Sequence, residues 1–186
     1  MADDDQFEQI LAAMKIAAAA LRDGDVPFAL AGGLAVYARG GPPTEHDVDF
    51  LVREDDVERA VALLTDIGFR VERPPEGWLY KVHDRNDVMI DLIFAPNSRP
   101  ERVPAMLERA AEIEVYAITL PVLTVTDVLE SKLLTLKEHE VDYEDVLEIA
   151  RTCREQIEWD ALRARVDDSP YARAFFTLVD ELSLSS

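Results

Sequence analysis

A glycine pair and two nearby aspartates constrain the fold of this chain more than any other feature. Gly32 and Gly33 end an apolar run, and thirteen residues later the chain continues as Asp47-Val48-Asp49. Alternate residues of an extended strand point to the same face, so the two aspartates are predicted to share one face. Two unpaired carboxylates are costly to bury there, and a divalent metal ion would compensate them. Because glycines let the backbone approach a phosphate, the pattern predicts a site for a nucleoside triphosphate and Mg²⁺.

The overall composition narrows the classes of partner. The chain has 186 residues and a formal net charge of −19, which argues against an extended nucleic-acid surface because such surfaces need clustered Lys and Arg. No apolar run approaches the roughly 20 residues of a membrane helix, so no membrane partner is expected. The acidic start of the chain is unlike a signal peptide. The single cysteine, Cys153, cannot form an internal disulfide, and we therefore expect a cytoplasmic protein.

The hydrophobic periodicity predicts an α+β fold, with a mixed sheet flanked by helices and followed by a helical C-terminal part. We place the mixed part at residues 1–120 and the helical part at 121–186, packed on the first. Helices are predicted over 7–22, 33–39, 55–67, 126–138, 142–154, 159–165 and 170–182. Strands are predicted over 27–31, 47–52, 70–72, 78–83, 88–94 and 114–118, with a polar hairpin loop at 84–87. No specific pattern is found over 96–112.

A third aspartate lies inside a later apolar strand. Asp91 is the only charged residue in the seven-residue run 88–94. Taken alone, it fits either a salt-bridged edge residue or a further member of the predicted metal site. Trp78 and Tyr80 alternate along the preceding strand, and side-chain packing is the simpler interpretation, with stacking on a base as the alternative.

The order Gly32, Gly33, Asp47, Asp49 and then Asp91 resembles the nucleotidyltransferases of the polymerase-β superfamily, in particular their small bacterial stand-alone members. The resemblance covers residues 25–95 well and extends more weakly to Lys132 and to residues 142–145. It implies a nucleotidyltransferase-type sheet and a cofactor of Mg²⁺, with Mn²⁺ as a possible substitute.

The resemblance also assigns roles to residues. It implies that three carboxylates are catalytic and bind metal, and that five other residues bind the nucleotide. The carboxylates are Asp47, Asp49 and Asp91, and the nucleotide-binding residues are Gly32, Gly33, Thr44, Lys132 and Asp145. Thr44 lies one residue before the place where related members often carry Ser or Thr. The alternatives are a surface lysine for Lys132 and a first-turn acid that favours the helix dipole for Asp145.

Three functions are compatible with these residues. The first is a Mg²⁺-dependent enzyme that moves a nucleoside monophosphate from an NTP to an unidentified acceptor, which could be a small molecule, a protein or an RNA end. The second is a catalytically silent module that binds a nucleotide or a partner, as in a toxin–antitoxin system. The third is a structural protein whose acids are surface features. A homodimer is possible in each case.

Overall fold

The computed structural model describes residues 2–43 and 48–185, with side chains from residue 7 onward. Eight α-helices and seven strands are found in these residues. The helices are α1 Ala2–Asp23, α2 Gly32–Ala38, α3 Val57–Asp66, α4 Val103–Arg109, α5 Val125–Thr135, α6 Glu144–Thr152, α7 Trp159–Arg165 and α8 Pro170–Glu181. The strands are β1 Phe28–Leu30, β2 Val48–Val52, β3 Arg70–Glu72, β4 Leu79–His83, β5 Met89–Ile93, β6 Ala111–Val115 and β7 Ile118–Val122.

All seven strands form one mixed sheet in the order β3-β4-β5-β2-β1-β7-β6. β2 lies at the centre, parallel to β5 and antiparallel to β1, and β1 is parallel to β7. Helices precede, separate and follow the strands, and α5 to α8 form the C-terminal helical part. The predicted α+β fold with a mixed sheet and a helical C-terminal part is therefore confirmed. The division of the chain near residue 120 stays a prediction.

The two faces of the central strands differ in polarity. On one face Val48, Phe50, Ile90 and Leu92 are almost completely buried. On the other face Asp49 of β2 lies opposite Asp91 of β5. Two carboxylates thus lie side by side on a sheet whose reverse side is hydrophobic core. This arrangement fixes the register, because a shift by one residue would move the acids into the core.

Two buried acids and three partly buried arginines join α4, α5 and α7. Asp127 of α5 is inaccessible to solvent and accepts hydrogen bonds from Arg109 (2.6 and 3.1 Å) and Arg165 (3.1 Å). Glu130, one turn further along α5, pairs with Arg102 and lies 3.5 Å from Arg165. The hydrogen bond to Asp127 raises the pKa of Arg109 above its ordinary value. We call these five residues the buried ion cluster, and it holds three helices together.

Two stretches differ from the sequence-based prediction. The single strand predicted at 114–118 is a hairpin, in which β6 and β7 are joined by Tyr116 and Ala117. Both of these residues have positive φ values, 49° and 65°, although neither is a residue type that favours this conformation. The stretch 96–112, for which no element was predicted, contains α4.

The structure also describes two features of the composition, the apolar runs and the single cysteine. No helix in the described part of the chain is long and apolar enough to cross a membrane. Cys153 is buried, as expected for an unpaired cysteine, and this burial raises the pKa of its thiol.

The buried ion cluster leads to a stability prediction. Replacing Asp127 by Ala leaves Arg109 and Arg165 without their main partner, and we expect a loss of about 3–5 kcal/mol in the free energy of unfolding. The control is Asp180→Ala, which removes a 2.8 Å ion pair to Arg163 between two half-exposed side chains and should change stability by at most about 1 kcal/mol. Urea unfolding midpoints measure both. Equal losses would show that the cluster has no special role.

Candidate functional site

A cavity of about 860 Å³ opens on the polar face of the sheet. Five of the predicted site residues line it, and they come from four separate parts of the chain. They are Gly32, Gly33, Asp49, Lys132 and Asp145. The structure therefore brings together the glycine pair, the second aspartate and the two more distant residues of α5 and α6. Other parts of the wall are apolar, with side chains such as Leu51, Ile93, Met106 and Val128.

Gly32 and Asp49 are in close contact. The backbone N–H of Ala31 donates a 2.8 Å hydrogen bond to the Asp49 carbonyl, which continues the β1–β2 pairing up to the first glycine. Gly32 then adopts a φ of +58° as α2 begins. A Cβ atom at this position would lie 1.8 Å from Oδ2 of Asp49. Both the backbone conformation and the position of the carboxylate therefore require glycine here.

Asp91 is directly opposite Asp49 in the β2–β5 register, but it is held by a residue that the sequence analysis did not identify. Lys81 of β4 lies opposite Asp91, and its Nζ is 3.0 Å from Oδ1 and 3.2 Å from Oδ2. The Asp91 side chain is 18% exposed and that of Lys81 is 28% exposed. The predicted hairpin loop at 84–87 would pair residue 83 with 88 and residue 81 with 90. In the structure His83 pairs with Met89, and this shift by one residue places Lys81 opposite Asp91.

Lys132 and Asp145 contact each other at the cavity wall. Nζ of Lys132, in the last turn of α5, is 2.7 Å from Oδ2 of Asp145, in the first turn of α6. The structure thus brings these two predicted residues together as an ion pair beside the cavity. The sequence could not predict the pair, because the two residues lie on different helices.

Asp47 and Thr44, the two remaining predicted site residues, lie outside the described residues. Pro43, immediately before this gap, and Asp49, two residues after it, line the cavity. Among the residues that the structure describes, no three His, Cys, Asp or Glu side chains form a group that could hold a metal ion. Asp49 and Asp91 do supply carboxylate oxygens, the ligand type that Mg²⁺ prefers, at adjacent positions of two strands.

Asn97 and Trp78 also line the cavity. Asn97 was not predicted to belong to the site, and Trp78 was considered only in the alternative of stacking on a base. Asn97 has a φ of 54°, and its Nδ2 donates a 3.1 Å hydrogen bond to the Ser131 carbonyl of α5. Positive φ values at non-glycine residues are often retained where a site needs them. Trp78 differs from Tyr80, which packs on Phe94. Trp78 lies just before β4, and its carbonyl accepts hydrogen bonds from the N–H groups of Phe94 and Ala95 (both 3.1 Å). Trp78 and Tyr80 both pack against the hydrophobic core.

The comparisons with known proteins agree with this geometry. A family described as uncharacterised nucleotidyltransferase matches residues 6–180. The chain belongs to this nucleotidyltransferase family. Its sequence matches no curated protein. The prediction of a nucleotidyltransferase from the glycine and aspartate pattern is therefore confirmed at the level of the family.

Solved structures of nucleotidyltransferases share the fold. The solution structure of the antibiotic-resistance factor ANT(2'')-Ia is 15% identical, aligns over 95% of both chains and gives a TM-score of 0.62. A crystal structure of ANT(2'')-Ia in complex with adenylyl-2''-tobramycin is 15% identical over 91% of this chain and 98% of the other, with a TM-score of 0.61. A putative nucleotidyltransferase from Thermotoga maritima is 14% identical over 87% and 95%, with a TM-score of 0.51.

The Gly32–Asp49 contact can be tested with two glycine variants that have the same type of backbone conformation. Gly40 has a φ of +84°, but a Cβ atom there would meet nothing within 4 Å. We expect Gly40→Ala to cost about 1–2 kcal/mol, the conformational penalty alone. Gly32→Ala should cost clearly more, because the methyl group also displaces the Asp49 carboxylate. Thermal unfolding of both variants measures the difference, and equal penalties would contradict a tight Gly32–Asp49 contact.

Proposed function

We propose that this nucleotidyltransferase moves a nucleoside monophosphate from an NTP to a hydroxyl group of a small-molecule acceptor, with Mg²⁺ as its cofactor. The observation that carries this proposal is the single cavity shared by Gly32, Gly33, Asp49 and Lys132. The cavity provides close backbone approach, a carboxylate and an ammonium group, and Asp91 lies on the next strand. These are the groups that binding of a metal–triphosphate complex requires.

Asp47 and Asp49 are proposed as the carboxylates that hold the metal, and Asp91 as the third acid beside them. Bound Mg²⁺ would neutralise charge on the triphosphate and favour ionisation of the attacking hydroxyl. Asp91 accepts a hydrogen bond from this hydroxyl and takes its proton. The hydroxyl oxygen then forms a bond to the α-phosphorus, and the bond from that phosphorus to the bridging oxygen breaks to release pyrophosphate.

The triphosphate is proposed to lie along Gly32, Gly33 and Lys132. The absence of a Cβ atom at Gly33 lets the phosphate oxygens come close to the backbone, and at Gly32 it makes room for the Asp49 carboxylate. Lys132 acts as a point charge towards the phosphates, and its ion pair with Asp145 (2.7 Å) keeps the ammonium group at the cavity wall. Thr44, which precedes Asp47 in the chain, is proposed as a further contact of the nucleotide.

Three observations favour a small acceptor. The cavity volume of about 860 Å³ falls within the range of about 300–1,000 Å³ for sites that bind small molecules. The net charge of −19 opposes an RNA acceptor. One end of the cavity is formed by the residue before β4, by β5 and by the segment after β5. The described wall residues there are uncharged, including Trp78, Ile93 and Asn97. We therefore propose an acceptor with an apolar, uncharged body.

ATP is proposed as the donor, since the similar fold of ANT(2'')-Ia has been captured with an adenylylated antibiotic. With Mg²⁺ and ATP at 100 times its Kd, the wild type should gain about 2.7 kcal/mol, which raises Tm by about 5–10 °C. Asp49→Asn and Asp47→Asn should lose this shift, and Asp66→Asn on the exposed surface of α3 serves as the control.

Two outcomes separate the alternatives. A full shift in Asp49→Asn would show that the nucleotide binds elsewhere. A shift in the wild type that depends on Mg²⁺, without pyrophosphate release in the presence of a panel of hydroxyl acceptors, would favour the catalytically silent module. Release of pyrophosphate that requires an acceptor supports the enzyme.

The role of Lys132 gives a separate prediction. Lys132→Met should weaken ATP binding by about tenfold or more, because a charged hydrogen bond to phosphate is lost. Binding of adenosine should not change, since it has no phosphate. Lys15→Met, on α1 and away from the cavity wall, controls for the loss of one positive charge. Equal weakening for ATP and adenosine in isothermal titration would contradict a phosphate contact.

A further inference from the structure

The carboxylate of Asp91 already has a cationic partner within the protein. On the polar face, one row of paired residues crosses the strands β2, β5, β4 and β3. The row consists of Asp49, Asp91, Lys81 and Glu72. Lys81 therefore lies between two acids. Its contact is with Asp91, because Nζ lies within hydrogen-bond distance of both carboxylate oxygens, at 3.0 and 3.2 Å.

The other groups around Lys81 do not compete for its charge. The sulfur of Met89 lies 3.5 Å from Nζ and is neutral. Glu72 is about half exposed and lies 3.5 Å from Nε2 of His83. Lys81 and Asp91 are both largely shielded from water, at 28% and 18% exposure. Water and salt therefore screen this ion pair less than an ion pair at the surface.

A divalent cation at Asp91 would have to take the same oxygens. The cation would either displace Nζ of Lys81 or lie next to it. The second arrangement is opposed by the repulsion between the two positive charges, which is strong in a partly buried site. Asp49 lies one strand further from Lys81 than Asp91 does, lines the cavity and contacts Gly32 through its carboxylate. The carboxylates thus fit one metal ion on the side of Asp49, whereas a second on the side of Asp91 conflicts with Lys81.

We propose that Lys81 takes the place of a second metal ion, so that the site binds one divalent cation with the nucleotide rather than two. Lys81 is then a positioning residue, which holds the carboxylate of Asp91 beside the attacking hydroxyl. The proposal rests on the proposed function, because it assumes that a metal–nucleotide complex binds at Asp49.

Mn²⁺ titration of the full chain, followed by electron paramagnetic resonance, tests the stoichiometry. The samples contain saturating α,β-methylene ATP, which cannot transfer its nucleotide. We expect one bound Mn²⁺ per chain in the wild type. Lys81→Met should bind two, with affinity for the second ion raised by about tenfold or more as the repulsion is removed. Lys81→Arg and the control Lys15→Met should bind one.

Two bound Mn²⁺ ions in the wild type would overturn the proposal, and this measurement needs no variant to fold. A Lys81→Met protein that is folded by circular dichroism and still binds one ion would overturn it as well. A failure of the proposed function itself gives a different result, in which the wild type shows neither bound Mn²⁺ nor a melting shift with the analogue. The proposed role of Lys81 is then wrong as well. The two failures differ in the wild type, which binds two Mn²⁺ ions in the first case and none in the second.

Discussion

The parallel pairing of β2 with β5 is the constraint on which the candidate site depends. Asp49 and Asp91 are distant in sequence, and only this pairing makes them neighbours. The opposite face of the same strands is fully buried through Phe50 and Leu92. The hydrophobic effect that forms the core therefore also sets the register of the two acids. A site built on the reverse side of a packed sheet needs no separate contact to set the register of the two strands that carry its carboxylates.

Helix α5, which forms another part of the cavity wall, is held by charged contacts as well as by apolar packing. Lys132 and Val128, which face the cavity, are on α5, and the same helix carries Asp127 and Glu130 into the buried ion cluster. The arginines of the cluster come from α4, its preceding turn and α7. A buried ion pair contributes little to the net stability of a fold. The directional hydrogen bonds between its charged groups nevertheless define the relative orientation of the helices that carry them. The position of Lys132 over the sheet is thus specified by contacts outside the cavity.

Local patterns in the sequence were sufficient for most of the fold and for part of the site. The bounds of β3 and α7 agree with the predicted 70–72 and 159–165. The glycine and aspartate spacing indicated the family because each residue in it has a strict local requirement, as the contact between Gly32 and Asp49 illustrates.

What could not be predicted depends on contacts between distant residues or on unusual local chemistry. Acids on a helix such as α5 are usually solvated, and only arginines from other helices allow Asp127 to be buried. The β6–β7 hairpin was not predicted because its turn lacks the Gly or Asn residues that normally indicate a hairpin turn. Lys81 was overlooked because its role is defined by a neighbouring strand and not by a motif.

The edges of the sheet have a consequence for assembly. An open sheet offers unpaired backbone groups at its outer strands, and these can join a second sheet. Here one edge is the three-residue β3, with Arg70 and Glu72 exposed, and the other is β6, with Glu112 and Glu114 exposed. Repulsion between the glutamates of two copies disfavours pairing at β6, and the short length of β3 disfavours pairing at the other edge. A homodimer of this chain is therefore expected to use helical surfaces and not a continuous intermolecular sheet.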